Sequence, residues 1–253
     1  MFDRAGKAAR EWESFGQQEP YFGVLADERF RRHQLDDDAL DEFFASGRTQ
    51  IAAMIGLAEA HVGRPLTLSR VMDFGCGVGR LLVALGERAD AAVGVDVSPS
   101  MLDEAWSNCN ARGLGHVTFV QSRDLAGLAS GFDLITSSIV FQHIPSETGY
   151  ELLARLADLL APDGVGVLHF TLSPASRLAV PFYAVLRSVP AARRLWNLAR
   201  RRRADFPFME MNVYRLERLL AVLYAHGITS VSVRFVPAGH RADYNQATLT
   251  FAR

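Results

Sequence analysis

A short apolar segment that leads directly into a glycine-rich turn constrains the fold more than any other feature of this sequence. Arg70–Phe74 is typical of a buried strand, Asp73–Gly79 reads Asp-Phe-Gly-Cys-Gly-Val-Gly, and Gly79–Arg88 has helical spacing. A strand, a glycine turn and a helix in this order bring the backbone and a helix N-terminus close to a bound ligand. Arg80 stands where the dinucleotide fingerprint requires Gly or Ala, so the pattern is not that fingerprint.

The chain then alternates between strands and helices. After the first strand, the pattern predicts strands at Ala91–Val97, Val117–Gln121, Phe132–Ser138 and Val165–Leu172, with helices between them. This alternation predicts a Rossmann-like, doubly wound α/β sheet that is mostly parallel. Ile228–Val236 and Gln246–Phe251 are joined by a loop too short for a crossover helix, so the C-terminal strand is expected to be antiparallel.

Three parts of the chain follow from these patterns. Residues 1–66 are expected to form a helical extension or lid, with one helix around Leu40–Phe44, a break at Gly47 and a second helix at Thr49–His61. Residues 67–253 are expected to form the core, with a helical insertion at 174–210 after the fifth strand. Arg193, Arg194 and Arg200–Arg203 lie among apolar residues of the insertion and predict a basic amphipathic helix.

Composition excludes several function classes. Hydrophobic residues make up 49% of the chain, charged residues 22%, and the net charge is −1, which is ordinary for a globular protein and gives no global nucleic-acid footprint. Lys7 is the only lysine, which rules out a Walker phosphate loop and a pyridoxal Schiff base downstream of it. Two cysteines cannot form a four-cysteine zinc site, and no metal is expected.

Targeting features are also absent from the sequence pattern. Met1–Arg10 lacks an apolar run, and the apolar segment Leu178–Leu186 is too short to span a bilayer, so no transmembrane segment and a cytoplasmic location are expected. Oligomeric state is left open, with a homodimer as one possibility.

Asp96 gives the glycine turn a second, independent feature. It ends the second predicted strand, 21 residues after Gly75. A carboxylate at this place in an α/β fold is suited to accept hydrogen bonds from both hydroxyls of a ribose. The turn and Asp96 together predict a ribose-containing ligand at the carboxyl ends of the strands.

The ordered motifs resemble those of class I S-adenosylmethionine-dependent methyltransferases. The matching stretches are Val71–Arg80, Val93–Leu102 and Phe132–Ile144. The resemblance implies S-adenosylmethionine as cofactor, with the methionine part beside the glycine turn, its amino group near Asp73 and the backbone carbonyl of Ser137, and the ribose at Asp96. The cofactor-binding residues that it implies are Asp73, Gly75, Gly77, Gly79, Asp96, Val97, Met101, Asp124, Leu125 and Ser137.

The adenine end departs from the commonest form of the family. An acid often follows the third strand there, but this sequence has Ser122-Arg123-Asp124-Leu125, with Arg123 at the usual place of the acid. Asp124 is therefore expected to accept the adenine amino group, one residue later. Met101 is expected to pack on the adenine face.

The acceptor is predicted by exclusion and by one histidine. Ser138-Ile139-Val140-Phe141 is unlike the Asn/Asp-Pro-Pro-aromatic motif of amino-directed DNA methyltransferases, and neither cysteine follows a proline as in cytosine C5 enzymes. A small-molecule, sugar or lipid acceptor is expected, without DNA, and His143 is the predicted base for O-methylation. The expected substrate-side residues are Tyr21, Ser138, His240 and Tyr244.

Two other functions remain open at this point. One is an RNA methyltransferase that uses the arginine cluster, although nothing in the chain resembles a separate RNA-binding module. The other is a regulatory module that binds S-adenosylmethionine without transferring its methyl group.

Overall fold

A computed structural model describes residues 4–174, 189–199, 211–236 and 244–253. The helices are α1 (Arg4–Gln18), α2 (Pro20–Val24), α3 (Asp37–Val62), α4 (Arg80–Gly86), α5 (Pro99–Asn110), α6 (Ser146–Leu159), α7 (Pro190–Ala199) and α8 (Leu216–Ala225). The strands are β1 (Arg70–Phe74), β2 (Ala91–Asp96), β3 (Val117–Gln121), β4 (Phe132–Ser137), β5 (Leu160–Pro174), β6 (Ser230–Val236) and β7 (Tyr244–Ala252). Short 3-10 helices lie at Glu28–Phe30, Ser122–Gly127 and Phe141–His143.

The strands form one sheet in the order β3-β2-β1-β4-β5-β7-β6. Strands β1 to β5 are parallel, whereas β7 lies antiparallel between β5 and β6. The predicted mixed, doubly wound sheet is therefore confirmed. The chain steps from β1 to β2 and β3 on one side and to β4 on the other, and ligands bind at such a switch in parallel sheets.

Apolar side chains cover both faces of the sheet. One core cluster joins α3, α4 and α5 to the sheet, with Phe43, Ile51, Leu82 and Met101 among its members. The other joins α6 and α8 to the opposite face through residues such as Leu153 and Leu223. Because each helix buries one apolar stripe, this two-sided packing stabilises the sheet and fixes the ends of its strands.

The N-terminal helices differ from the expectation at Gly47. Helix α3 is continuous from Asp37 to Val62, with Asp36 as its N-cap through a 2.8 Å bond to the Ala39 amide. Gly47 lies inside this helix and does not end it. A glycine is required there because a Cβ would lie 2.1 Å from the backbone oxygen of Arg80. The glycine allows α3 to approach the start of α4 closely. The predicted break was wrong because it took this close contact for a turn signal.

The insertion after β5 is described only at 189–199. Helix α7 lies within the arginine-rich stretch, and Leu195 and Leu198 on it are 68% and 56% exposed. Arg200–Arg203 and His240 lie outside the described residues. Within the described ranges, no helix is long and apolar enough to cross a membrane.

Candidate active site

A cavity of about 370 Å³ opens at the carboxyl ends of β1, β2 and β4. Seven residues predicted from the sequence line it, and they come from separate stretches of chain: Gly75, Gly77, Asp96, Val97, Met101, Ser138 and His143. The volume lies within the range of small-molecule sites, roughly 300–1,000 Å³. The fold therefore brings both halves of the predicted site, cofactor side and acceptor side, into one enclosure.

The glycine turn and Asp96 form one hydrogen-bonded unit. Gly75 and Gly77 have φ values of +77° and +52°, a left-handed conformation that side chains with a Cβ adopt rarely. The Gly77 amide donates to Asp96 Oδ2 at 2.9 Å, and the Ser98 amide donates to Oδ1 at 3.0 Å. Burial raises the pKa of Asp96, against the lowering effect of these amide bonds. A carboxylate can accept about four hydrogen bonds, so Asp96 keeps capacity for ligand hydroxyls.

Asp73 lies behind the turn, does not line the cavity and is only 2% exposed. The Thr136 hydroxyl is 3.2 Å from Asp73 Oδ1. Burial raises the pKa of Asp73 to about 7, although Thr136 and the nearby positive charge of Arg80 act in the opposite direction. A cation near this carboxylate would favour its charged form.

The end of the cavity where adenine is predicted to bind has a different composition from the expected one. Met101 and Val97 line it, as do Ser122 and Arg123. Asp124 does not line the cavity, and its side chain is 65% exposed and 3.7 Å from Arg123 Nε. Leu125 is buried below, in the core. The role of Asp124 in binding adenine stays a prediction, and Arg123 is the charged side chain that lies against the cavity.

His143 lines the cavity from the 3-10 helix that follows β4 and is 7% exposed. Its Nε2 atom is 3.0 Å from Nε2 of Gln142, and the other end of that amide, Oε1, accepts from the Thr171 hydroxyl at 3.2 Å. The Thr171 bond therefore turns the NH₂ group of the Gln142 amide toward the ring, and this amide can donate to the tautomer in which Nε2 is the acceptor. The Trp12 ring packs edge-on at 4.9 Å between centroids.

A tyrosine supports the histidine turn from behind. Tyr214 Oη is 2.9 Å from the carbonyl oxygens of both Phe141 and Ile144 and is fully buried. The Asn212 amide donates to the Gln142 carbonyl at 2.6 Å. Contacts from the segment before α8 therefore fix the position of His143, about 70 residues away in sequence.

Helix α1 covers the cavity. Ala8, Ala9 and Trp12 line it, and Gly23 and Val24 follow from the α2 region. These contacts agree with the lid expected for residues 1–66, which stays a prediction.

Glu13 connects helix α1 to the start of α5 through hydrogen bonds. Its carboxylate accepts from the hydroxyls of Ser98 and Ser100 at 2.7 and 2.6 Å. Burial acts to raise the pKa of Glu13, but these hydrogen bonds outweigh it and the pKa is lowered.

Some predicted residues lie away from the cavity. The Tyr21 hydroxyl is bonded to Glu104 and Asn108, at 2.7 and 3.1 Å, within the α2–α5 contact. Tyr244 begins β7, paired with Pro174. Gly79 caps α4, and the Ser137 hydroxyl donates to the Phe74 carbonyl at 2.8 Å. None of these four is among the described residues that line the cavity, and their predicted roles stay untested.

Sequence reasoning missed four residues that shape the site: Gln50, Arg80, Ile139 and Gln142. Ile139 lines the cavity with φ = +64°, a strained conformation for a β-branched residue. Gln50 and Gln142 are polar residues inside helical or apolar stretches, which is a weak signal. Arg80, directly after the glycine turn, is the one that its position could have revealed.

The described residues fit S-adenosylmethionine, the cofactor that the sequence implies. The positive-φ glycines leave the backbone of the turn exposed to the cavity, and Asp96 presents acceptor capacity for ribose hydroxyls. Met101 and Val97 supply apolar surface where the adenine is predicted to bind. Within the described residues, no group of three metal-binding side chains occurs.

Comparison with known proteins points to the same chemistry. Residues 71–164 match the family described as methyltransferase domain. The chain is 35% identical over 121 residues to aklanonic acid methyltransferase DauC of Streptomyces sp. strain C5, covering 46% of this chain and 53% of that protein. It is 26% identical over 179 residues to magnesium-protoporphyrin O-methyltransferase of Rhodobacter capsulatus, covering 70% and 77%. The match to the first of these relatives thus spans about half of its length.

Solved structures share the fold. The crystal structure of magnesium protoporphyrin IX methyltransferase from Synechocystis PCC 6803 with bound S-adenosylhomocysteine has a TM-score of 0.57 at 21% identity, over 93% of this chain and 97% of that one. The N-methyltransferase NodS from Bradyrhizobium japonicum WM9 has a TM-score of 0.55 at 16% identity, over 96% and 98%. The family match over residues 71–164, the sheet order and the cavity beside Asp96 agree with one another, and together they support an S-adenosylmethionine-dependent methyltransferase with S-adenosylmethionine as cofactor.

Proposed function

We propose that this protein methylates a hydroxyl oxygen of a small, largely apolar acceptor and that His143 is the general base. The observation that carries the proposal is the position of His143: it lines the cavity directly after β4, and β1 lies between β4 and the strand β2 that ends in Asp96. Among the described lining residues, the titratable side chains are Asp96, Arg123 and His143. Asp96 and Arg123 lie toward the ribose and adenine ends, which leaves His143 for the acceptor.

The acceptor end of the cavity is apolar. Trp12, Ile144, Pro145 and Leu152 line it around His143, with Thr148 as a polar neighbour. Apolar walls with few polar groups are suited to bind a hydrophobic or aromatic molecule and to exclude water from the reacting atoms. Two of the similar proteins named above act, by their names, on aklanonic acid and on magnesium-protoporphyrin, and the second is an O-methyltransferase.

S-adenosylmethionine supplies, when bound, a methyl group on a positively charged sulfur. A hydroxyl oxygen attacks poorly while it is protonated, so a base has to take its proton as the carbon–oxygen bond forms and the carbon–sulfur bond breaks. Neutral imidazole has a lone pair for that proton, and the Gln142 amide can donate to Nε2 in the tautomer in which this atom is the acceptor. In this proposal the acceptor hydroxyl takes the place of the Gln142 amide at Nε2, and Trp12 and Tyr214 keep the ring in position.

A carboxylate or a neutral amine needs no base, which gives the test. Purified protein is incubated with S-adenosylmethionine and matched apolar aromatic acceptors that carry a phenol, a carboxylate or an amine, and S-adenosylhomocysteine is measured. We expect turnover with the phenol, and a loss in the His143→Ala variant. Turnover of the carboxylate or amine alone, at equal rates in both proteins, would contradict the proposal.

A further inference from the structure

A buried polar relay reaches the cavity from α3 and α4. Arg80, 5% exposed, donates from Nη2 to Gln50 Oε1 at 2.5 Å. The Gln50 amide nitrogen then donates to the Ser138 hydroxyl oxygen at 2.6 Å. Ser138 lines the cavity, whereas Arg80 and Gln50 do not. A fixed positive charge is thereby connected to one hydroxyl at the cavity wall.

The direction of this relay is set by chemistry. A guanidinium group can only donate, so Gln50 must turn its oxygen toward Arg80 and its NH₂ group toward Ser138. The Ser138 oxygen therefore accepts, and its own proton remains to be donated elsewhere. Among the described residues, the Ser138 hydroxyl makes no hydrogen bond other than the one with Gln50. Ser138 is thus prepared as a hydrogen-bond donor.

The position of Ser138 in the sheet indicates which part of a ligand it meets. Asp96 ends β2, the glycine turn follows β1, and Ser138 follows β4, in the spatial order β2-β1-β4. Adjacent strands are about 4.8 Å apart, so the ribose carboxylate and Ser138 are separated by roughly two strand spacings across the glycine turn. The family resemblance implies the ribose at Asp96 and the methionine part beside the glycine turn, so the amino-acid end of S-adenosylmethionine would lie toward β4.

That amino-acid end carries one group that only donates and one that only accepts. The ammonium group cannot accept the Ser138 proton, whereas the carboxylate can, and the charge of Arg80 behind the relay favours an anion. We propose that the Ser138 hydroxyl donates to the methionine carboxylate of S-adenosylmethionine, with Gln50 and Arg80 as positioning residues. This assignment moves Ser138 from the acceptor side to the cofactor and is independent of the role of His143.

Two ligands separate this proposal from its alternatives. S-adenosylhomocysteine carries the carboxylate, and 5′-methylthioadenosine lacks the whole amino-acid part while keeping adenine, ribose and sulfur. Calorimetry without acceptor should show that Ser138→Ala weakens binding of S-adenosylhomocysteine about 10- to 100-fold, the loss expected for a hydrogen bond to a charged group. Binding of 5′-methylthioadenosine should be unchanged, which also shows that the variant is folded.

Further variants test the relay. Ser138→Thr should restore binding of S-adenosylhomocysteine, because it keeps the hydroxyl. Gln50→Glu should weaken it at least as much as Ser138→Ala, because a carboxylate cannot donate and takes the serine proton. Ser46→Ala is the matched control: Ser46 accepts from Arg80 Nη1 at 3.2 Å but makes no contact with Ser138, so affinity should stay at the wild-type value.

Two binding results would contradict the proposed contact between Ser138 and the carboxylate. Unchanged affinity of Ser138→Ala for S-adenosylhomocysteine, or an equal loss for both ligands, would remove the carboxylate contact. A rise in the KM of the acceptor alone would assign the hydroxyl to the acceptor instead. The binding measurements need no turnover, so a negative result for Ser138 does not affect the proposal that His143 is the base. A normal rate in His143→Ala likewise does not affect the proposal that Ser138 binds the carboxylate.

Discussion

Asp96 Oδ2 accepts a 2.9 Å hydrogen bond from the Gly77 amide, so the carboxylate predicted to bind ribose and the glycine turn form one unit. This bond couples two features that the sequence presents 19 residues apart. The turn therefore depends on Asp96 for its geometry, and Asp96 depends on the turn for its orientation toward the cavity.

We expect Asp96→Asn to weaken S-adenosylhomocysteine binding by about 1.5–3 kcal/mol, because it removes charge-assisted bonds to the ribose hydroxyls. Calorimetry measures the change. Asp103→Asn, the same substitution at an exposed position of α5, is the control and should bind normally. Equal affinities in wild type and Asp96→Asn would exclude Asp96 from the ribose site.

His143→Ala should lower kcat by about 10²–10⁴-fold with a phenolic acceptor, because the hydroxyl proton then has no base. Cofactor affinity should be unchanged. The wild-type rate should fall on acidification, since imidazolium cannot accept a proton, and the variant should lose this dependence. His33→Ala, at an exposed position, serves as the control. A near-normal kcat in His143→Ala would assign proton removal to another group.

Gln142→Glu tests how His143 is held. A carboxylate at 142 would accept a proton from the ring nitrogen that Gln142 now faces at 3.0 Å, and it would favour the charged imidazolium. We expect the acidic limb of the pH–rate profile to move to higher pH, with cofactor affinity preserved. An unshifted profile of kcat/KM would show that residue 142 does not influence the charge of His143 before the acceptor binds.

Asp73 should make stability depend on pH. Its folded pKa of about 7 lies above the value near 3.9 in an unfolded chain, so the folded protein binds the extra proton between these values. The contribution of Asp73 to the free energy of unfolding is full below about pH 4 and is lost as the pH rises to 7. Urea unfolding at several pH values should show this fall in wild type and its absence in Asp73→Asn. Parallel pH curves for the two proteins would contradict the assignment.

Two glycines of α3 should respond to alanine in opposite directions. Gly47→Ala should destabilise the protein by about 1–3 kcal/mol, because its Cβ would meet the Arg80 backbone oxygen at 2.1 Å. Gly56→Ala should stabilise it by roughly 0.5–1 kcal/mol, since Gly56 is exposed and nothing lies within 4 Å of the new Cβ. Urea unfolding of both variants measures the difference. A similar effect of the two changes would show that the α3–α4 contact does not constrain Gly47.

Local patterns in the sequence were sufficient for the order of strands and helices, the glycine turn, Asp96 at the end of β2 and the antiparallel C-terminal pair. Each depends on periodicity, turn residues or loop length within a few dozen residues, and such local patterns can be recognised in the sequence itself. His143 was found in the same way, because the carboxyl end of a parallel strand is known once the strand is known.

Tertiary packing alone decided the remaining features. Gly47 continues a helix because α4 passes beside it, and Gln50 reaches Ser138, 88 residues away, because α3 packs against the same end of the sheet. Which of Arg123 and Asp124 faces the cavity depended on how the chain turns after β3. Contacts between elements distant in sequence leave no periodic signal at either partner, and for that reason the relay from Arg80 to Ser138 became visible only in the folded structure.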